Sequence, residues 1–165
     1  MHWAWDLAIV GFAGAFLLWL PHVLSYHVLK SRIVRRQRWG LNICCGTTDG
    51  GGVNADIVAH AKLPRFVYVT TYRLPFPTGQ FDNVLCSHTL EHVEDPEAFY
   101  RELRRVGRNV TIVLPPLWDL TAAFNLLEHR WLFLTLRKEH IKLPPYIRLP
   151  GAGLVQKLLG QRIRA

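Results

Sequence analysis

The sequence predicts an α/β fold in which a doubly wound parallel sheet follows one N-terminal transmembrane helix. The helix is predicted because residues 7–24 are apolar and carry no formal charge. The sheet is predicted because short apolar segments typical of buried strands alternate with loops and a helix between residues 41 and 116. Strands joined by such connections usually pair in parallel, so we expect one sheet with helices packed against it.

The apolar segment near the N-terminus is long enough to cross a bilayer. About 20 apolar residues in a helix span roughly 30 Å of hydrocarbon, and Trp3, Trp5 and Tyr26 stand where interfacial aromatic residues are expected. A cleavable signal peptide and a buried core helix are the alternatives. A signal peptide begins with positive charge, whereas this chain begins MHWAWD, with an acid and neither Lys nor Arg. A retained transmembrane helix is therefore favoured.

Much of the formal net charge of +8 follows this helix directly. The cations there are Lys30, Arg32, Arg35, Arg36 and Arg38. Because such residues accumulate on the cytoplasmic side, we expect a single-pass protein of the cell inner membrane, with its N-terminus outside and its C-terminal domain cytoplasmic. Anionic lipid headgroups are the expected partners of the cluster. No zinc-finger, RRM or helix-turn-helix pattern accompanies it, so we expect no nucleic-acid partner.

These signals divide the chain into four parts. Residues 1–29 are the predicted transmembrane helix, 30–40 a basic juxtamembrane neck, 41–150 the α/β domain and 151–165 a basic amphipathic C-terminal tail. Strands are predicted at residues 41–45, 53–57, 66–70, 81–86 and 110–114. Asp95 followed by Pro96 predicts the start of a helix that ends near Val106.

The cysteine and histidine pattern gives little support to a metal site. Cys44, Cys45 and Cys86 are an odd set on the predicted cytoplasmic side, which argues against a disulfide framework. Cys86, His88 and His92 form a C-x-H-x3-H pattern that can be drawn as a ligand set. We predict no metal, because a family resemblance accounts for the same residues.

That resemblance rests on two segments, LNICCGTTDGGGVNADI at residues 41–57 and LPFPTGQFDNVLCSHTLEHVEDPEAFYREL at residues 74–103. In the second segment LPFP, FD and SHTLEH fall in register. Over residues 41–116 the chain resembles the small, abbreviated class I S-adenosylmethionine (SAM)-dependent methyltransferases. The resemblance implies a truncated, Rossmann-like methyltransferase fold with SAM as its cofactor.

The resemblance also implies roles for individual residues if SAM is bound. Asp56 would accept hydrogen bonds from the ribose, Leu74 and Phe76 would line the adenine side, and residues 87–92 would border the methyl group. The full set implied for cofactor binding is Asn42, Gly46, Asp56, Leu74, Phe76, Ser87 and His88. No catalytic residue is predicted. Asp82 is interpreted as a structural turn residue, and Glu91 as a solvated surface acid.

Three residues and one missing helix depart from the family pattern. Cys44 stands where the family has the first glycine of its GCG motif, and Thr70 where it usually has an adenine-binding Asp. Thr48, at the third glycine position, matters less. Losing the Asp would cost on the order of 1–3 kcal/mol, or about ten- to a hundredfold in affinity. The helix that normally follows the glycine loop is nearly absent between Gly46 and Asp56.

Two functions are therefore weighed. The favoured one is a membrane-anchored accessory or structural subunit of a larger complex, respiratory or photosynthetic for example, on a degenerate domain that needs no cofactor and is not an enzyme. Its partners would be other membrane subunits, met through the transmembrane helix and the aromatic-rich residues 117–136. The alternative is an active SAM-dependent methyltransferase at the cytoplasmic membrane surface. Its acceptor would be a lipid, quinone, pigment or glycan precursor.

Overall fold

The structure is a computed structural model that describes residues 2–70 and 72–160. The last part of the predicted tail, residues 161–165, lies outside the described residues. One long helical run opens the chain. Helix α1 (His2–Val23) continues through a π-helical segment (Leu24–Leu29) into α2 (Lys30–Arg35).

The N-terminal part of this helical run contains the candidate membrane span. The candidate span lies within Val10–Arg35, and 6% of its most apolar 18-residue segment is buried inside the structure. Trp3, Trp5 and Phe12 are exposed by 70% or more. The span is therefore not the core helix of this domain, and by length and composition it can cross a membrane.

The C-terminal part of the run, α2, packs against the α/β domain. Ile33 and Val34 of α2 are buried together with Trp39, Leu85 and Val113. The Trp39 indole donates to the carbonyl of Val34 at 2.8 Å. The charged pattern of residues 30–40 concealed this packing, because the two buried apolar residues stand between arginines.

The main sheet has six strands in the order β3-β2-β1-β4-β5-β7. Its strands are β1 (Leu41–Ile43), β2 (Val53–Asp56), β3 (Phe66–Tyr68), β4 (Phe81–Ser87), β5 (Gly107–Val113) and β7 (Glu139–His140). The first five are parallel, and β7 is antiparallel to β5. This is the predicted mixed α/β, Rossmann-like fold.

Two strands and three helices complete the domain. Strands β6 (Trp131–Phe133) and β8 (Tyr146–Arg148) form a separate antiparallel pair. Helix α3 (Pro96–Val106) lies between β4 and β5, and α4 (Leu120–Ala123) and α5 (Ala152–Leu159) follow later in the chain. Helix α3 begins as predicted, since the Asp95 carboxylate accepts from the amide of Ala98 at 2.9 Å.

The connection between β1 and β2 positions the site. Residues 44–52 form a loop without a helix, as the short spacing predicts. A Cβ at Gly52 would collide with the carbonyls of Trp39 and Gly40, so glycine is required for the loop to return against the sheet. The strand order reverses between β1 and β4, and ligands of such sheets bind at the carboxyl ends of the strands beside that reversal.

Candidate functional site

A cavity of about 580 Å³ lies at this edge of the sheet. Asn42, Cys44, Gly46 and Asp56 line it from the β1–β2 side, and residues 87–89 line it from the end of β4. Its volume lies within the range of about 300–1,000 Å³ that is typical of small-molecule sites. The loop after β1 therefore leaves room for a ligand.

The opposite wall comes from the N-terminal helical run. Tyr26, His27, Lys30 and Val34 line the cavity. The Tyr26 ring meets the ring of His88 edge to face at 5.4 Å between centroids. The Lys30 ammonium lies 4.2 Å from the centroid of Tyr26. The cavity is thus shared between the α/β domain and the segment that leads to the candidate membrane span.

Gly46 and Asp56 form the floor that a cofactor would approach. Gly46 has φ +55°, and a Cβ built there would meet nothing within 4 Å, so its missing side chain faces open space. Its amide donates to Asp56 Oδ2 at 2.8 Å, and the amide of Ile57 donates to Oδ1 at 2.7 Å. Asp56 therefore holds the loop, and each carboxylate oxygen keeps a free lone pair.

Asn42 shapes the same loop. Its amide nitrogen donates to the carbonyl of Thr48 at 2.8 Å and approaches Asn54 Oδ1 at 3.3 Å. The amide of Gly50 also donates to Asn54 Oδ1, at 3.0 Å. Asn42 is 2% exposed, so its side chain supports the loop from inside the protein.

Cys44 adopts the backbone conformation of a glycine. Its φ is +50°, in the left-handed region that costs a non-glycine residue free energy. The half-buried side chain lines the cavity, and burial raises the pKa of its thiol well above the usual value. The thiol is therefore neutral at physiological pH and occupies space without adding charge.

Leu74 and Phe76 do not line this cavity, contrary to the role that the resemblance implied. The amide of Leu74 donates to Glu102 Oε1 at 2.7 Å. Arg105 donates to the carbonyls of Leu74 and Phe76 at 3.0 and 2.8 Å. These contacts fix the LPFP segment against α3. Of the seven implied residues, the cavity brings together Asn42, Gly46, Asp56, Ser87 and His88.

Thr70 also lies away from the cavity lining. Its side chain is exposed, and its hydroxyl donates to the carbonyl of Arg73 at 3.3 Å. Asp82 is exposed and pairs with Arg108 at 2.7 Å, and it lies within β4 and not in the turn before it.

A buried polar network joins the helical run to the domain. The Lys138 ammonium donates to Ser25 Oγ at 2.9 Å and lies 2.7 Å from His88 Nε2. His88 Nδ1 lies 3.1 Å from Glu91 Oε1. His88 can accept from the lysine through Nε2 while its Nδ1 proton faces the Glu91 carboxylate.

Burial sets the protonation of this network. It lowers the pKa of His88 to about 4 and that of Lys138 to about 8. Burial opposes ionisation of Glu91, but the hydrogen bond and attraction from His88 outweigh it and lower the carboxyl pKa. At neutral pH the network therefore holds a neutral imidazole between an ammonium and a carboxylate. Glu91 is 0% exposed, so the interpretation of Glu91 as a solvated surface acid is wrong.

Two further histidines lie beside Glu91. Donor atoms of Glu91, His92 and His129 all lie within 4.8 Å of one another, and the three residues are buried. The sequence pattern did not indicate this group, because His129 lies 37 residues after His92 in the chain. The only local signal was the unexplained polar residue His129 within an otherwise aromatic and apolar segment.

Comparison with known proteins agrees with this architecture. Residues 42–113 match the family model described as a methyltransferase domain. Ajmaline N-methyltransferase of Rauvolfia serpentina is 45% identical over 42 residues, which are 25% of this chain and 14% of that enzyme. The chain thus aligns with about one seventh of the length of that curated relative.

Two solved structures have a similar chain path. One is a SAM-dependent methyltransferase of Thermotoga maritima described as a possible histamine N-methyltransferase, with a TM-score of 0.42 and 19% identity over 68% of this chain and 60% of that one. The other is a SAM-dependent methyltransferase of Aquifex aeolicus, with a TM-score of 0.42 and 15% identity over 56% of this chain and 66% of that one. Residues 42–113 are therefore similar to a methyltransferase domain, and an apolar helix precedes them.

Proposed function

We propose that this protein binds SAM in the cavity at the carboxyl ends of β1 and β4 and methylates a small molecule at the membrane surface. The observation that carries the proposal is the shared construction of the cavity. One wall is the glycine loop of the methyltransferase-like domain, and the other is Tyr26, His27 and Lys30 of the helical run. A substrate held in the bilayer beside α1 would therefore reach the cavity without crossing bulk water.

The residues of the floor fit SAM. Gly46 presents an open backbone against which the amino-acid portion would lie, as close approach of a backbone to a ligand requires. Asp56 keeps lone pairs for the ribose hydroxyls beside its two amide contacts. Cys44 narrows the same space, so we expect weaker binding than with glycine at that position.

The chemistry asked of the protein is mainly positioning. SAM supplies an electrophilic methyl group, which must be held in line with the acceptor atom of the substrate. Ser87 and His88 lie at the end of β4 and line the cavity. His88 is neutral at pH 7, since burial lowers its pKa to about 4. Because Lys138 and Glu91 face its two ring nitrogens, His88 would contact a substrate through its ring, and it would place no second positive charge beside a sulfonium.

The contacts between the helical run and the domain define where the membrane surface would lie. His22 Nδ1 meets Asp119 Oδ1 at 3.2 Å, and Ser25 is fully buried. Residues before His22 are therefore available to span the bilayer. Leu120 and Phe124 are nearly half exposed in and just after α4, the helix that packs against α1. They would touch the bilayer beside the anchor. The inner-membrane location with a cytoplasmic domain belongs to this proposal.

The test compares two glycines that differ only in their relation to the cavity. Gly46 and Gly79 both have positive φ, and a Cβ at either meets nothing within 4 Å. Alanine should therefore cost each site a similar free energy of unfolding, on the order of 1 kcal/mol. Only Gly46 lines the cavity.

We expect the whole protein in detergent micelles to bind SAM in a calorimetric titration. Gly46→Ala should weaken binding at least tenfold, whereas Gly79→Ala should leave it unchanged. This pair is more informative than Asp56→Ala, which would also release the loop amides. If the folded wild-type protein does not bind SAM, or if both variants weaken binding equally, the proposed site is wrong.

The accessory subunit remains a second candidate because of two observations. Cys44 keeps a side chain where a cofactor would approach, and the window of the apolar helix is 6% buried within this chain. A folded protein that fails to bind SAM and is purified in a fixed stoichiometry with identified membrane subunits would favour this function. Migration as a single species in detergent, together with SAM binding, would exclude it.

A further inference from the structure

We propose that Glu91, His92 and His129 bind a divalent transition-metal ion. This site goes beyond the proposed methyl transfer and does not depend on SAM. The three donor atoms lie within 4.8 Å of one another. One carboxylate and two imidazoles are a common set of protein ligands for Zn²⁺ and related first-row ions, whereas Mg²⁺ and Ca²⁺ prefer oxygen alone.

Each imidazole is oriented as a metal ligand would be. His92 Nδ1 lies 3.0 Å from the carbonyl oxygen of Glu128 and is satisfied as a donor to it, which leaves the Nε2 lone pair free. The ring of His129 bonds the backbone of Ala123, and its Nδ1 is buried with no hydrogen-bond partner among residues 2–70 and 72–160. An N–H bonded to a backbone carbonyl fixes the tautomer of a metal-binding histidine in this way.

The carboxylate of Glu91 has an oxygen without a hydrogen-bond partner among the described residues. Glu91 Oε2 is buried, and it too has no hydrogen-bond partner within the described part of the chain. Oε1 has the His88 contact at 3.1 Å. A buried anion with a free oxygen is costly unless a cation or donor meets it. An ion held between Oε2 and the two imidazole nitrogens would satisfy Glu91 Oε2 and His129 Nδ1, which have no hydrogen-bond partner among the described residues.

The backbone holds these residues in place. The amide of Arg130 donates to the carbonyl of Glu91 at 2.7 Å, which ties the turn before β6 to the end of the SHTLEH segment. Gln156 of α5 donates to the carbonyl of His129 at 2.8 Å. Bonds of about 2.0–2.2 Å to a tetrahedral ion place its ligands about 3.4 Å apart. Small side-chain rotations within this fixed frame would therefore close the set.

The site adjoins the cavity through His92, which also lines it. An ion with three protein ligands keeps one position for water or for a donor atom of a ligand. This arrangement differs from a closed structural site with four protein ligands.

The test titrates the metal alone. We expect the folded, chelator-treated protein in detergent to bind one Zn²⁺ ion. It should also bind one Co²⁺ ion, whose visible absorption bands should be those of a four- or five-coordinate site. Glu91→Gln and His129→Gln should each lower Zn²⁺ affinity at least a hundredfold, since a ligand should matter at least as much as its supporting contacts. His60→Gln removes an exposed imidazole at the cavity and should change nothing.

Thiols are the competing ligands, so Cys44→Ala is titrated in parallel and should retain full affinity. Near-ultraviolet circular dichroism verifies that each variant is folded. Added Zn²⁺ should raise the melting temperature of the wild type and not of Glu91→Gln. Wild-type protein that binds no Zn²⁺, or variants at Glu91 and His129 that bind it as tightly, would overturn the proposal.

Discussion

Replacing Cys44 by alanine and by glycine should reverse the usual order of stability of these two residues. Both changes remove the thiol from the half-buried position, so their difference reports the Cβ alone. Cys44 has φ +50°. In ordinary backbone conformations alanine is the more stable residue, because glycine loses more conformational freedom on folding. At Cys44 the left-handed backbone should make glycine the more stable of the two.

The expected size follows from two opposing contributions. A Cβ in the left-handed region costs about 1–2 kcal/mol, and glycine costs roughly 0.5–1 kcal/mol through the entropy of the unfolded chain. Cys44→Gly should therefore exceed Cys44→Ala in stability by about 0.5–1 kcal/mol. In a domain of this size that difference corresponds to roughly 1–4 °C in melting temperature.

Thermal unfolding in detergent, followed by near-ultraviolet circular dichroism, measures the difference. Cys45 is the matched control, since it is the neighbouring buried thiol without positive φ. There alanine should be more stable than glycine. If alanine is the more stable residue at both cysteines, the left-handed conformation of Cys44 is wrong, and with it the argument that Cys44 replaces a glycine. Cys44→Gly should also bind SAM more tightly than the wild type.

Three further predictions concern stability. Burial lowers the pKa of His88 to about 4 in the folded protein, against a usual 6.5. The unfolded chain therefore binds this proton first, and the free energy of unfolding should fall by about 3 kcal/mol as pH drops from 6.5 to 4. In thermal melts across this range, His88→Gln should flatten the dependence of melting temperature on pH, and an unchanged dependence would contradict the assignment. Phe99→Ala, at a fully buried position, should cost about 3–5 kcal/mol in denaturant unfolding, whereas Phe124→Ala, 46% exposed, should cost far less. Asp95→Ala should cost about 1 kcal/mol through loss of the α3 cap, and the exposed Glu94→Ala almost nothing; equal losses would refute the role of the cap.

Local signals predicted the elements whose causes are local. Asp95 and Pro96 define the start of α3 within four residues of chain, and the structure begins the helix at Pro96. The spacing from Gly46 to Asp56 excluded a helix between β1 and β2, and the structure has a loop there. In both places the determining atoms are close in sequence, so the residues alone were sufficient.

The parts that the sequence did not predict depend on contacts between distant residues. The position of Leu74 is set by Glu102 and Arg105, about 30 residues later in the chain. Glu91 is buried beside His129, which lies 38 residues later in the chain, and nothing near Glu91 in the sequence indicates this contact. A resemblance matches residue identities between proteins. The position of a connecting loop relative to the sheet depends instead on contacts between residues that are distant in sequence.

The π-helical segment at Leu24–Leu29 has a consequence for how the anchor and the domain are oriented. An α-helix turns by about 100° per residue, so one residue more or fewer in a turn rotates everything before it by about that angle. The wider π turn accommodates such an extra residue without interrupting the helical run. The π turn thereby rotates the face that α1 presents to lipid or to another helix relative to the face by which α2 packs against the sheet. Deleting a single residue from this segment would reorient the anchor about its own axis and would also displace Tyr26 and His27 from the cavity wall.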